Sequence, residues 1–306
     1  MIPVLFLSTV LIWGTTWLAI ALQAGPVPVL VSVFYRFALA GILFLFILAV
    51  TGRLRLPKRE HQVWLVAQAL CLFSLNFICF YHAVHYIPSG LESLIFSLST
   101  IFNALNARIF YGERISGKVI LASLLGISGL VLLFGRDILD ADASGTLTGV
   151  GLAMLGTLFF SLGNMVSRRN SREGISPVFA NAWAMSYGAI VLMLLIILTG
   201  TPLIAPPDAT YLGALLYLAA IGSIVGFSTY LILVARIGSA RAAYATVLFP
   251  IIALGLSTVF EGYVWHWTGF VGLGLALLGN IVIFAPSRRP RRTAPIAKDA
   301  ETVASS

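Results

Sequence analysis

Apolar runs of about twenty residues, each closed by a short polar joint, recur from the start of this chain to residue 285. A helix of roughly 20 residues crosses a hydrocarbon layer about 30 Å thick. The runs predict spans at roughly 4–22, 30–50, 63–82, 91–111, 117–135, 149–167, 177–199, 210–231, 241–260 and 268–285. Charged residues make up 10% of the chain, where a soluble domain carries roughly a quarter. So little charge cannot cover a water-facing surface. The expected fold is an all-α polytopic membrane protein of ten transmembrane helices.

Basic residues orient the bundle, because loops on the cytoplasmic side are enriched in Lys and Arg. With the N-terminus inside, the cytoplasmic joints hold Arg53, Arg55, Lys58, Arg59, Arg108, Arg114, Lys118, Arg168, Arg169, Arg172, Arg236 and Arg241. The C-terminal segment adds Arg288, Arg289, Arg291, Arg292 and Lys298, which places 17 of the 19 basic residues on one side. Arg136 alone falls opposite, and Arg36 lies inside the second span. Both termini are therefore expected in the cytoplasm. The net charge of +8 reads as membrane orientation, with no aromatic-interleaved basic domain to hold nucleic acid.

A shift of 150 residues lays the second half over the first. Ile87/Ile237, Ser89/Ser239, Leu98/Leu248, Ile101/Ile251, Phe110/Phe260, Leu125/Leu275, Gly129/Gly279 and Phe134/Phe284 coincide in one register. The expected domains are a five-helix repeat over 4–135, a second over 149–285, and a disordered basic cytoplasmic tail over 286–306. An odd number of spans per repeat inverts the second copy relative to the first, an arrangement many secondary transporters use.

The motifs "WGTTW" at 13–17, "FYRFALAG" at 34–41, "FYGERIS" at 110–116 and its weaker counterpart "FEGYVW" at 260–265 add to that frame. With them the chain resembles the two-repeat EamA-type members of the drug/metabolite transporter superfamily, over roughly residues 4–285. The resemblance implies export of amino acids, related metabolites or drugs across a bacterial inner membrane, with the aromatic amino-acid exporters as a narrower match. It also implies a cavity bounded by the first, third, fourth, sixth, eighth and ninth helices. Glu261 precedes its glycine where Glu113 follows its own, so the two glutamates need not share a role.

Polar groups inside spans are the informative ones, since an unpaired one in hydrocarbon is expensive. Glu92, Phe96, Ser99, Asn103 and Asn106 recur at spacings that share one helix face, with Ser97 beside them. Asn76 and Phe80 share a face of the third span with Tyr81 alongside, and Trp13 and Trp17 sit one turn apart on the first. Phe160 and Asn164, Ser228, and Tyr244 complete the expected substrate-binding set, on the sixth, eighth and ninth spans. Interhelical hydrogen bonding and packing are the competing reading for each of these. Arg36 is either a contact for a solute carboxylate or a structural pairing. Pro250 is a candidate hinge or a static kink. Glu92 and Glu261, near the outer helix ends, are expected at the interface. Ala122 with Gly126, and Gly272 with Ala276, read as packing or dimer surfaces outside the cavity.

Several classes fall away on these residues. Cys71 and Cys79 lie about 12 Å apart along one helix, too far for a disulfide, and no ligand cluster for a metal accompanies them. No cofactor is expected. The spans carry no catalytic constellation such as paired acids or H-E-x-x-H, which argues against an intramembrane enzyme. No lysine or carboxylate occupies the middle of a span, which disfavours phosphorylated and lipophilic-cation solutes. The expectation is a carrier exporting a small zwitterionic metabolite, most simply an amino acid, by alternating access around a midplane cavity. Its partners would be that solute and the bilayer, with the chain a monomer or homodimer. A facilitator or channel for small neutral solutes, or a multidrug or other metabolite exporter, is the alternative.

Overall fold

The computed structural model describes residues 2–139, 143–237 and 245–284. The C-terminal segment 286–306, the joint containing Arg241, and Tyr244 lie outside the described residues. Among the described residues the chain is helical throughout, without strands. The helices are α1 (Ile2–Ala21), α2 (Val29–Val50), α3 (Arg59–Ala83), α4 (Ser89–Tyr111), α5 (Gly117–Leu139), α6 (Ala143–Arg172), α7 (Pro177–Thr199), α8 (209–237), α9 (Ala245–Phe260) and α10 (Trp267–Phe284). Eight of these are long and apolar enough to cross a membrane; α9 and α10 contribute shorter apolar stretches, Leu248–Phe260 and Trp267–Val282. Outward-facing residues such as Ile42, Phe46, Leu124, Ile190 and Leu198 are large, apolar and exposed. That is the surface a lipid-facing bundle presents.

Local chemistry sets the helix ends. Ser176 accepts a hydrogen bond from the Phe179 amide with Pro177 at the first helical position, so α7 starts there. Gly112 and Gly200 close α4 and α7 in the left-handed conformation that glycine adopts without a Cβ clash. Asp208 caps the start of α8 through the Tyr211 amide.

Packing pairs the two halves reciprocally. The first helix of each half lies on the third and fourth helices of the other: α1 on α8 and α9, α6 on α3 and α4. Helix α2 packs on α8 and α7 on α3, while α2 meets α7, α4 meets α9 and α5 meets α10. Each of these contacts between halves has a counterpart with the halves exchanged or is its own counterpart.

The α5–α10 pair brings backbone against backbone. A Cβ on Gly129 would lie 2.6 Å from the Gly272 carbonyl oxygen, and one on Gly279 would lie 2.8 Å from that of Ala122. The small residues of the two helices therefore mate with each other inside one chain, which gives them a role as internal packing.

Polar clasps join other helices. Gln68 donates to Asn181 at 2.9 Å and accepts from Asn170 at 2.9 Å, tying α3 to α7 and α6. Asn106 donates to Ser161 at 2.8 Å, and Asn280 of α10 donates to Ser97 at 3.1 Å while accepting from Thr100. Glu92 is fully buried, contrary to the interfacial placement its position suggested, because α4 begins beneath the end of α9. Glu261 accepts from the Ser89 amide at 3.1 Å and its hydroxyl at 2.6 Å, capping α4 from the far half.

If the α5–α10 contact is that tight, Gly129→Val destabilises the bundle by about 1–3 kcal/mol through overpacking. Gly274, whose Cβ would meet nothing within 4 Å, supplies the control. Thermal unfolding in detergent should show a lowered Tm for Gly129→Val and little change for Gly274→Ala.

Candidate functional site

Four cavity-wall helices lose regularity at one level of the sequence repeat. In α3 the segment Cys71–Leu75 widens into a π-helical turn, and in α8 the segment Tyr217–Val225 does the same. Ser74 and Ser223 each donate their hydroxyl to the carbonyl five residues back, Ala69 and Leu218, which satisfies groups that the wide turn strains. Helix α4 is interrupted at Leu98, where the Ser97 hydroxyl bonds back to the Leu94 carbonyl. Helix α9 carries the buried Pro250 inside it. Under the 150-residue shift, the two π turns overlap, and Pro250 falls within two residues of Leu98.

These helices contribute to the wall of a chamber of about 60 Å³. Its wall is formed by Trp13, Thr16, Trp17 and Ile20 of α1, Arg36 of α2, Asn76, Phe77 and Phe80 of α3, Phe96 of α4, Phe160 of α6, Gly222 and Phe227 of α8, and Phe249 of α9. Trp17 is the hub of an aromatic box, with ring centroids 5.3 Å from Phe80, 5.4 Å from Phe96 and 6.4 Å from Phe249. Such separations are those of edge-on and offset aromatic pairs. Gly222 lets α8 approach α1 closely, since a Cβ there would lie 2.8 Å from the Thr16 methyl.

A second recess of about 320 Å³ adjoins the chamber and shares Trp13, Phe96, Phe160 and Phe227 with it. Its wall also carries Ser99, Thr100, Asn103, Asn164, Asn181, Tyr230 and Arg168. Asn164 donates to Asn103 at 3.3 Å across it. Phe96 and Phe160, 4.6 Å apart, and Trp13 and Phe227, 5.6 Å apart, stand where the two spaces meet. A further recess of about 270 Å³ around Pro88, Glu261 and His266 shares no lining residue with the chamber.

The mouth of the 320 Å³ recess is the basic end of the bundle. Arg168 pairs with Glu113. The guanidinium carbons of Arg168 and Arg172 each lie 4.5 Å from the Tyr111 ring centre, and that of Arg169 lies 4.1 Å from Trp64. The Trp183 indole donates to the Arg55 carbonyl at 3.1 Å. These contacts gather the ends of α2, α4 and α6 with the starts of α3 and α7.

Of the residues singled out in the sequence, Trp13, Trp17, Asn76, Phe80, Ser99, Asn103, Phe160 and Asn164 meet around the two adjoining spaces, and Arg36 joins them from α2. Three others lie away from both. Tyr81 is buried with its hydroxyl donated to Gln23 at 2.8 Å, because it sits one residue, and so about 100° of helix, past Phe80. Ser97 faces α10 through Asn280 for the same rotational reason relative to Phe96. Ser228 is half-buried and lines neither space, one position past Phe227, which lines both. Sequence reasoning passed over Phe77, Phe227, Gly222 and Phe249, whose apolar character offers no contrast within an apolar span. Phe227 had one signal, as the repeat partner of Phe77. Helices α5 and α10 contribute to neither space.

A helical bundle of membrane-crossing length with an aromatic chamber between its halves is of the class of multi-span membrane proteins. Residues 1–135 and 147–285 each match the EamA-like transporter family, and the chain belongs to that family. It is 25% identical over 274 residues to the uncharacterized inner membrane transporter YedA of Escherichia coli K12, covering 89% of this chain and 87% of that one. A probable amino-acid metabolite efflux pump of the same organism is 24% identical over 283 residues, covering 90% and 91%. The uncharacterized transporter YoaV of Bacillus subtilis is 23% identical over 253 residues, covering 81% and 84%. A solved crystal structure shares the fold at a TM-score of 0.65 and 21% identity, over 92% of this chain and 95% of that one. The protein is a transporter and a multi-pass protein of the bacterial inner-membrane kind.

The Arg168–Glu113 pair makes a pH test of the basic end. The guanidinium beside it holds the exposed Glu113 carboxyl below its ordinary range. The pair's contribution is therefore complete above the unfolded carboxylate's pKa of about 4.3 and is lost as pH falls through the lower folded value. Exposed pairs contribute about 0–1 kcal/mol, so Glu113→Gln should lower Tm at pH 7 by at most about 2–4 °C. The difference from wild type should shrink on acidification through that window, and a difference unchanged by pH would count against the pair.

Proposed function

We propose that the protein is a secondary carrier of ten spans, with both termini cytoplasmic, that exports small zwitterionic metabolites, most simply amino acids. One observation carries this reading: an aromatic chamber, walled by helices from both halves, that adjoins across four shared rings a recess reaching the basic end of the bundle. The reciprocal contacts between halves support inverted five-helix repeats, and the gathering of Arg55, Arg168, Arg169 and Arg172 at one end supports a cytoplasmic placement of that end. On this reading the wide recess is a vestibule facing the cytoplasm and the opposite side is closed. The breaks in α3, α4, α8 and α9 are the points where the walls can change angle. The naming of one relative as a probable amino-acid metabolite efflux pump supports the solute class.

The chemistry of the lining fits such a solute. Aromatic faces bind both apolar side chains and, through the ring quadrupole, an ammonium group. The amides of Asn103, Asn164 and Asn181 offer donors and acceptors along the vestibule without fixed charge.

Counterflow in proteoliposomes tests the proposal. Vesicles preloaded with an excess of a neutral amino acid should accumulate its labelled form transiently and saturably, which a channel does not do. Removing a buried polar contact costs about 1–3 kcal/mol, so Asn103→Ala should weaken apparent affinity about tenfold or more. Ser228→Ala, altered outside both spaces, should transport normally. Flux that never saturates and shows no counterflow would replace the carrier with a pore.

A further inference from the structure

Arg36 is a buried cation with no acid to neutralise it among the described residues. It is 3% exposed, and no carboxylate oxygen lies within ion-pairing distance. Its Nε donates to the Ser223 hydroxyl at 3.3 Å. Its guanidinium carbon lies 4.3 Å from the centre of the Phe77 ring and 5.2 Å from that of Phe37. Its Nη1 has no hydrogen-bond partner among the described residues. The hydroxyl of Tyr81, close by, donates to Gln23 and offers its oxygen to the guanidinium as a neutral acceptor, which leaves the charge unbalanced. A guanidinium held this way keeps its charge and is heavily penalised unless an anion reaches it.

Asn76 shows the same deficit on the same wall. It is fully buried, and neither its Nδ2 nor its Oδ1 has a partner among the described residues. Other buried amides are paired, Gln68, Asn106, Asn170 and Asn280 across helices and Gln23 through its Oε1 alone. Arg36 and Asn76 both line the chamber, whose wall, among the described residues, contains one cation and no acid.

We propose that Arg36 and Asn76 form a carboxylate-binding end to the chamber, so that the exported solute is recognised by a carboxylate group. The inference rests on the carrier reading above and narrows it. A guanidinium edge matches a carboxylate, and the Asn76 amide adds a donor. Single negative charge is what one arginine balances; a phosphate dianion would leave a surplus in an apolar box. The chamber of about 60 Å³ has room for a few water-sized groups. It takes the carboxylate and the carbon next to it, while the body of the solute runs along the Trp17 and Phe96 rings toward the vestibule. Recognition therefore tolerates variation in the side chain and requires the acid.

The test compares acids with their amides on the purified full chain in detergent. The probes are 3-phenylpropionate, isocaproate, L-phenylalanine and L-leucine, with phenylalaninamide and leucinamide as carboxylate-free matches. The readouts are thermal shift and intrinsic tryptophan fluorescence, since Trp13 and Trp17 line the chamber. Acids should raise Tm and perturb the fluorescence, with the amides at least tenfold weaker. Arg36→Gln should lose that preference while keeping or gaining thermal stability, because an unpaired buried charge has been removed. Asn76→Asp supplies an internal anion and should abolish protection by acids; it decides the matter if Arg36→Gln does not fold. Amides binding as tightly as acids, no acid binding at all, or acid binding that survives in both variants would each overturn the proposal. Amino acids and amides showing equal counterflow would remove the carboxylate end and leave the carrier. Acids that bind without any counterflow would leave the carboxylate end and remove the carrier.

Discussion

A backbone in hydrocarbon must satisfy its own hydrogen bonds, and the architecture of this protein follows from that demand. Regular helix meets it everywhere on the outer face, where large apolar side chains such as Ile42 and Leu198 are exposed. The irregular turns of α3 and α8 fall on helices that line the chamber. The wide turns of α3 and α8 have serine hydroxyls bonded to the carbonyls five residues back, and the interruption of α4 at Leu98 sits beside the Ser97 back-bond. The polar repairs and the chamber occupy the same level because broken helices are tolerated where they line a cavity.

Charge and close packing divide the rest of the work. The basic end is held by contacts in which arginine lies on an aromatic face, as Arg169 does on Trp64. These pair a cation with an amphipathic ring and need no buried acid. Away from the cavity, α5 and α10 pack backbone to backbone through Gly129, Gly272 and Gly279. Since oil does not drive helices together inside oil, such contact is what holds this pair.

The helical spans, their repeat and most of the residues around the two spaces were legible in the sequence, because apolar runs and helical periodicity are strong signals there. Trp13 with Trp17, and Asn76 with Phe80, fall on shared faces that the spacing reveals. Rotation about each helix was legible only to about one residue. Tyr81, Ser97 and Ser228 each lie one position beyond a cavity residue and face another helix. Phe249 and Gly222 were invisible because periodicity reports contrast, and an aromatic or small residue in an apolar span supplies none. The unpaired state of Arg36 and Asn76 was equally beyond reach, since it depends on which helices pack around them.

The reciprocity of the two halves bears on the energetics of changing shape. Contacts of α1 on α9 and of α6 on α4 draw on equivalent surfaces, so exchanging the roles of the halves trades like for like. Two such arrangements differ in free energy only through positions where the halves are unlike. The clearest is the second helix, where Arg36 of the first half has Ser186 as its counterpart in the second. With Asn76 answered by Gly226 and Gln68 by Leu218, the buried polar groups of the first half decide how far the two arrangements are from equal.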